Sequence, residues 1–197
     1  MLNFSLKNFY ITFFILVIII FFITSILTIQ LSSSNSIYGN SSLDGEFIWP
    51  LPEYSYISSY FGKRSSPTAG ASSYHSGIDI PAPEGTPIFA VCSGIVTFAS
   101  WGAGGGYTIV VENNNFSISY CHVSPNFRVS RGDTITAGYL ISNVGPKNIY
   151  NIINNPYKDS NGNPTNGAST GCHLHLTIKK DGIAVNPLIY FNFSNYN

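Results

Sequence analysis

From Gly45 onward no segment repeats apolar residues at the 3.6-residue spacing of a helix over three turns. Short apolar and aromatic stretches follow one another instead, at 56–61, 88–91, 94–99, 107–112, 116–123, 134–136, 139–144 and 172–179. Turn residues punctuate them. A glycine-rich turn spans 101–106, Asn113-Asn114-Asn115 links two stretches as a hairpin, and Asp181-Gly182 closes the last one. Asn, Ser, Gly, Tyr and Ile are abundant, which suits β-strands joined by polar turns. The pattern predicts an all-β domain of short antiparallel strands over residues 45–197.

What precedes that domain is different in kind. Residues 9–29 carry no charge and are dominated by Ile, Phe, Leu and Val. At 1.5 Å per residue such a run matches a ~30 Å hydrocarbon core, so it reads as one transmembrane helix. Lys7 is the only charged side chain before it, and Asp44 is the next after it. Positive-inside logic then puts residues 1–8 in the cytoplasm and the rest outside, as a single-pass protein of the cell membrane. The alternative is a cleaved signal and a secreted product, but the run is long for that. Residues 30–44, rich in Ser, Asn and Gly, read as a flexible linker.

Nine basic and nine acidic residues balance to zero, and the basic ones are scattered. No basic patch favours nucleic acid as a partner. The three cysteines, Cys92, Cys121 and Cys172, show no C-x-x-C spacing. They read as small buried hydrophobes, with a Cys121–Cys172 disulfide as the alternative.

Residues 146–170 form a long Asn-, Gly-, Pro- and Ser-rich interruption without a strand pattern. Loops of that length inside a compact domain are often functional, and this one ends just before His173. It is expected to border a substrate groove. Its segment Asp159-Ser160-Asn161-Gly162-Asn163 begins like a calcium loop, but Pro164 and Thr170 stand where Gly and Glu are required, so it reads as turn chemistry.

The chain has four histidines: His75, His122, His173 and His175. His75-Ser-Gly-Ile-Asp79 is an H-x-x-x-D, and His173-Leu174-His175 is an H-x-H. On a strand, side chains alternate faces, so His173 and His175 share one polar face with Thr177, while Leu174, Leu176 and Ile178 face the core. By the same alternation His122 shares a face with Tyr120 and Ile118. Cys121 and Cys172 fall opposite their neighbouring histidines and are left out of the metal site. Zinc takes neutral imidazole and carboxylate, and a catalytic site uses three protein ligands. His75, Asp79 and one histidine of the pair supply three. The other member of the pair and His122 remain for acid–base work.

Phe47-Ile-Trp-Pro-Leu51, Ser58-Ser-Tyr-Phe-Gly-Lys-Arg64, His75 to Pro87, Gly94 to Trp101, Tyr120-Cys-His-Val-Ser124 and Ser169-Thr-Gly-Cys-His-Leu-His-Leu176 occur in order. Together they resemble the lysostaphin/LytM-type zinc metallopeptidases, over about residues 47–190. The resemblance implies one Zn²⁺ on His75, Asp79 and His175, with His173 and His122 acting in catalysis. It implies a β-sandwich or barrel-like fold whose antiparallel sheet floors a groove. Its implied activity is zinc-dependent endopeptidase action on peptide cross-bridges or stem peptides of peptidoglycan. Peptidoglycan peptides, the membrane through the N-terminal helix, and a cell-envelope machine are the expected partners. Inactive, wall-binding relatives lack ligands, whereas all five residues are present here. Cys172 stands where many relatives have proline. Some relatives use a tyrosine on the oxyanion, for which Tyr74, Tyr107 and Tyr120 are candidates.

Overall fold

The computed structural model describes residues 13–20, 47–68 and 71–192. The chain divides into two compact units, Met1–Asn40 and Ser41–Asn197. In the first, residues 13–20 are helical, with exposed side chains. Among the described residues no helix is long and apolar enough to cross a membrane. Apart from 13–20, the predicted anchor at 9–29 lies outside the described residues, as does the predicted linker at 30–44.

The second unit is antiparallel β-structure throughout its named strands, as the sequence predicts. These are β1 (Gly62–Lys63), β2 (Tyr74–His75), β3 (Ile78–Pro81), β4 (Pro87–Phe89), β5 (Gly94–Trp101), β6 (Tyr107–Asn113), β7 (Phe116–Cys121), β8 (Thr134–Ile135), β9 (Leu140–Asn143), β10 (His173–Lys180) and β11 (Ile183–Val185). A seven-stranded sheet runs β11-β10-β7-β6-β5-β8, with β3 also paired to β10. Two ribbons, β1–β2 and β4–β9, complete the set. The turns follow their residues. Asp181 and Gly182 both take positive φ, 51° and 78°, as a tight β10–β11 hairpin requires. Asn114, at φ 51°, turns β6 into β7.

Alternation on the central strands fixes the layout. Leu174, Leu176 and Ile178 of β10, Ile118 and Tyr120 of β7, Ile109 and Val111 of β6, and Ile78 and Ile80 of β3 are all fully buried in one core cluster. Each such aliphatic side chain contributes about 1.5–3 kcal/mol of burial, so slipping β10 by one residue would forfeit several of these at once. That locked register sends His173, His175 and Thr177 to the opposite face.

Two sequence expectations need correction. The stretch 56–61 forms no named strand. Only an isolated bridge joins Ser59 to Asp79 there, because the chain bends at Ser58 and Phe61 and cannot extend the pairing, although Ile57 is buried in the core. His122 does not share the face of Tyr120 and Ile118. Strand β7 stops at Cys121, and His122 takes a left-handed φ of 61°. That conformation, costing of order 1–3 kcal/mol in a non-glycine residue, breaks the alternation and swings the imidazole away from the core.

Candidate metal centre

Strand pairing assembles the first three residues. In the β3–β10 register His175 lies opposite Asp79, and in β1–β2 Gly62 lies opposite His75. His75 Nε2 is 3.1 Å from Asp79 Oδ1 and 2.9 Å from His175 Nδ1, and His175 Nδ1 is 2.8 Å from Asp79 Oδ1. Among the described residues these three have ligand atoms clustered closely enough to hold a metal ion.

The neighbours of each imidazole fix where its lone pair points. His75 Nδ1 is 2.9 Å from the Tyr60 carbonyl, which can only accept, so Nδ1 carries a proton and donates. A neutral His75 therefore turns a bare Nε2 toward Asp79 and His175. His175 Nε2 sits 2.9 Å from Thr177 Oγ1. Burial alone would raise the Asp79 carboxyl, but its contacts with His175 and His75 outweigh burial and hold it far below the ordinary carboxylate range. A carboxylate oxygen and two imidazole nitrogens thus converge on one point. A proton there satisfies one pair; a divalent cation satisfies all three. Carboxylate and two imidazoles, each anchored by an outer hydrogen bond, suit zinc.

The remaining two histidines stand beside this cluster. His173 Nδ1 donates to the Gly171 carbonyl at 3.0 Å, and its Nε2 lies 3.6 Å from Asp79 Oδ1. His122 Nδ1 donates to the Asn166 carbonyl at 2.6 Å, and its ring centroid is 4.7 Å from that of His173. Each therefore presents a bare Nε2. Burial pulls the His122 imidazole well below its ordinary value, with His173 and His175 acting in the same direction. Burial also lowers His173, against the opposing pull of Asp79. All four histidines and Asp79 are thereby brought to one place, His75 and His122 buried and the others half-buried.

A groove of roughly 810 Å³ opens over them. Arg64, Ser72 and Tyr74 line it, together with Gly104, Gly105 and the end of the long loop at Ala168, Thr170 and Gly171. The loop borders the groove as expected, and it is tied down. Asn166 accepts from Tyr107 N and donates to Val123 O, and Ala168 N donates to Gly104 O. The Asp159 segment is turn chemistry as read: its Oδ1 accepts from Asn161 N and Asn163 N, and Lys147 pairs with it at 3.1 Å.

Of the candidate tyrosines, Tyr74 lines the groove. Tyr120 is fully buried and accepts from Val91 N, and Tyr107 packs between Trp101 and Phe127. Cys121 also departs from expectation. It pairs with His175 across β7–β10 and lines the groove, because His122 and not Cys121 leaves the alternation. All three cysteines are free, and Cys172 is only half-buried. Burial pushes the Cys92 and Cys121 thiols up to about 11, so neither offers a thiolate at neutral pH. Sequence reasoning placed Thr177 on the histidine face without giving it a partner, and missed the roles of Arg64 and of the carbonyls of Tyr60, Asn166 and Gly171. Backbone acceptors carry no residue signature, and Arg64 is visible only as part of a motif.

Residues 73–157 match peptidase family M23. The chain is 32% identical over 136 residues to the DD-carboxypeptidase/endopeptidase Mpg of Neisseria meningitidis, covering 68% of this chain and 27% of that protein. It thus spans about a quarter of that relative's length. A zinc-containing peptidase from Vibrio cholerae superposes with a TM-score of 0.57 at 25% identity, over 74% of this chain and 40% of that one. The catalytic domain of the antimicrobial peptidase lysostaphin from Staphylococcus simulans superposes with a TM-score of 0.55 at 26% identity, over 71% of this chain and 93% of that one.

Proposed function

Because the chain belongs to peptidase family M23, we propose that it is a zinc-dependent endopeptidase that hydrolyses peptide bonds in bacterial peptidoglycan, in a cross-bridge or a stem peptide. The observation that carries this reading is the convergence of His75, Asp79 and His175 beneath an open groove, with two further imidazoles at hand. Under this reading those three residues hold the ion. Zinc bound there supplies a Lewis acid that polarises a carbonyl and acidifies water.

The chain's own residues do the rest. His173 is assigned as general base. Its Nδ1–H is committed to Gly171, burial keeps it neutral near pH 7, and its bare Nε2 faces the cluster at 3.6 Å from Asp79. His122 also enters the reaction with a bare Nε2; once protonated, it donates to the departing amine or to the oxyanion. The groove walls align an extended peptide over this pair. Of the three candidate tyrosines Tyr74, which lines the groove, is the one assigned to the scissile carbonyl's oxygen. The same reading takes the fold as a β-sandwich, with the groove on the face of the large sheet opposite the core.

The apolar run at 9–29 supports a membrane anchor that leaves the domain from Gly45 on outside the cell. Cysteine labelling with an impermeant reagent in intact cells, at single cysteines introduced at 3 and 41 after Cys92, Cys121 and Cys172 are replaced by serine, would test it. Labelling of both or neither would refute a single crossing.

The activity is tested by incubating the zinc-loaded chain with isolated peptidoglycan and identifying released fragments by mass spectrometry. New peptide ends made by the wild type and absent with His75→Ala establish the activity and name the bond. Intact peptidoglycan from several wall types would overturn it.

A further inference from the structure

We propose that Arg64 is a positioning residue of the metal centre, holding Asp79 so that only one of its carboxylate oxygens is available to the ion. The inference rests on the reading of His75, Asp79 and His175 as zinc ligands.

Asp79 uses its two oxygens for two purposes. Oδ1 faces His75 and His175, and Oδ2 accepts from Arg64 Nη1 at 3.0 Å. The same Nη1 donates to Ser59 Oγ at 2.5 Å, and Ser59 Oγ lies 3.2 Å from His75 Nδ1. Arg64 therefore touches one ligand directly and a second through one hydroxyl.

The backbone holds this arrangement from both ends. Ser58 N donates to Asp79 O and Asp79 N to Ser59 O, while Arg64 N donates to Ser73 O beside β2. The Tyr60 carbonyl between them anchors His75. The segment 58–64 is thus a strap laid across the strands that carry His75 and Asp79.

Arg64 sits there at a cost. Its Nε is buried without a hydrogen-bond partner. A guanidinium swung into solvent would satisfy all five donors, so the side chain is held in place by the pair with Asp79 and Ser59. The side chains of Arg64 and Asp79 are 21% and 13% exposed, so water screens the pair only partly.

Two chemical consequences follow. With Oδ2 occupied, the carboxylate cannot clamp the ion through both oxygens, and the position facing the groove stays open to substrate. The guanidinium also balances the carboxylate charge, so an ion on two neutral imidazoles meets the substrate with its charge undiminished. A lysine keeps the charge and several donors on one nitrogen, but not the rigid guanidinium plane that aims Nη1 at Ser59 and Asp79, so it can replace the two contacts only in part.

The test uses the full chain, stripped of metal and refilled with cobalt(II), with the visible d–d spectrum and the affinity against a chelator as readouts. Arg64→Met is expected to weaken metal binding about 10- to 100-fold. It should also shift the spectrum toward the weaker bands of a higher coordination number, because Oδ2 becomes free. Arg64→Lys should recover part of both. If Arg64→Met fails to fold, Arg64→Lys and Ser59→Ala carry the test, each expected to move affinity and spectrum in the same direction by less. A folded Arg64→Met with the wild-type spectrum and affinity overturns the proposal, and so do unchanged readouts in both milder variants. Wild-type protein that takes up no cobalt overturns the ligand reading itself, which separates the two failures.

Discussion

The His75–Asp79–His175 cluster and the His122–His173 pair, proposed as metal ligands and acid–base groups, lie side by side but are held by different means. His75, Asp79 and His175 sit on paired strands, and the register of β3 against β10 sets His175 opposite Asp79. His122 and His173 are each oriented by one backbone carbonyl from irregular chain, Asn166 and Gly171, both near the end of the long loop. A ladder resists displacement because any shift unpairs several hydrogen bonds and exposes Leu174, Leu176 and Ile178 together. A single carbonyl on a loop resists only as far as the loop is tied down. The first region is built for permanence. The second can be perturbed without touching the first, which makes the two separable by experiment.

The largest expected effect tests that separation directly. His175→Ala should lose its zinc and all measurable hydrolysis, whereas His173→Ala should lower turnover about 10²–10⁴-fold with zinc retained. Metal content after dialysis and the rate of peptide release distinguish the two. Zinc loss in His173→Ala would erase the boundary between the regions.

A milder change aims at the loop alone. Gly167 has φ 72°, and a Cβ there would meet Gly106 N at 2.3 Å and Gly104 O at 2.4 Å. Gly167→Ala should push the loop off the Ala103–Gly105 turn, shift the Asn166 carbonyl and lower turnover by up to about 10²-fold, since small misplacements of a reacting group cost that much. Its zinc affinity should match the wild type; a matching loss of zinc would show that the loop also supports the ligands.

Thr177→Val probes the ligand side at its outer edge. It removes the hydroxyl 2.9 Å from His175 Nε2 and should weaken zinc binding about tenfold in chelator competition. Unchanged affinity would mean that the strand register alone orients His175.

The smallest effect concerns pH and the far part of the loop. Lys147 holds the Asp159 carboxyl down to about 2. A carboxyl depressed in the folded state adds support that is present above its ordinary value near 3.9 and is lost as pH falls toward 2. Protection of the Asn161 and Asn163 amides against hydrogen exchange should fall across that window, while β6 and β7 stay protected. Lys147→Ala should move the loss to higher pH.

Much of this was legible beforehand. Alternation in His173-Leu174-His175-Leu176 separates core from groove without any structure, because a strand has a period of two and one face must be dry. Asp181-Gly182 and the asparagine run mark their turns because few residues tolerate positive φ. The same rule failed at His122, where one left-handed residue ended the alternation; histidine gives no warning of that conformation. It failed again at 56–61, where the chain bends at Ser58 and Phe61 and pairs with β3 only through Ser59 and Asp79, so a short apolar and aromatic stretch builds no strand.

By itself, then, the sequence determined the antiparallel all-β class, the family, and the five residues proposed for the site. Those follow from local periodicity and from residue types whose chemistry does not depend on neighbours. The tertiary structure alone decided that Arg64 reaches Asp79, that Asn166 and Gly171 orient the two free imidazoles, that Cys121 lines the groove, and that Tyr74 lines it where Tyr107 and Tyr120 do not. Those are contacts between residues far apart in the chain, made through backbone carbonyls and a flexible guanidinium, and only closure of the sheet and the loop brings them within hydrogen-bonding distance.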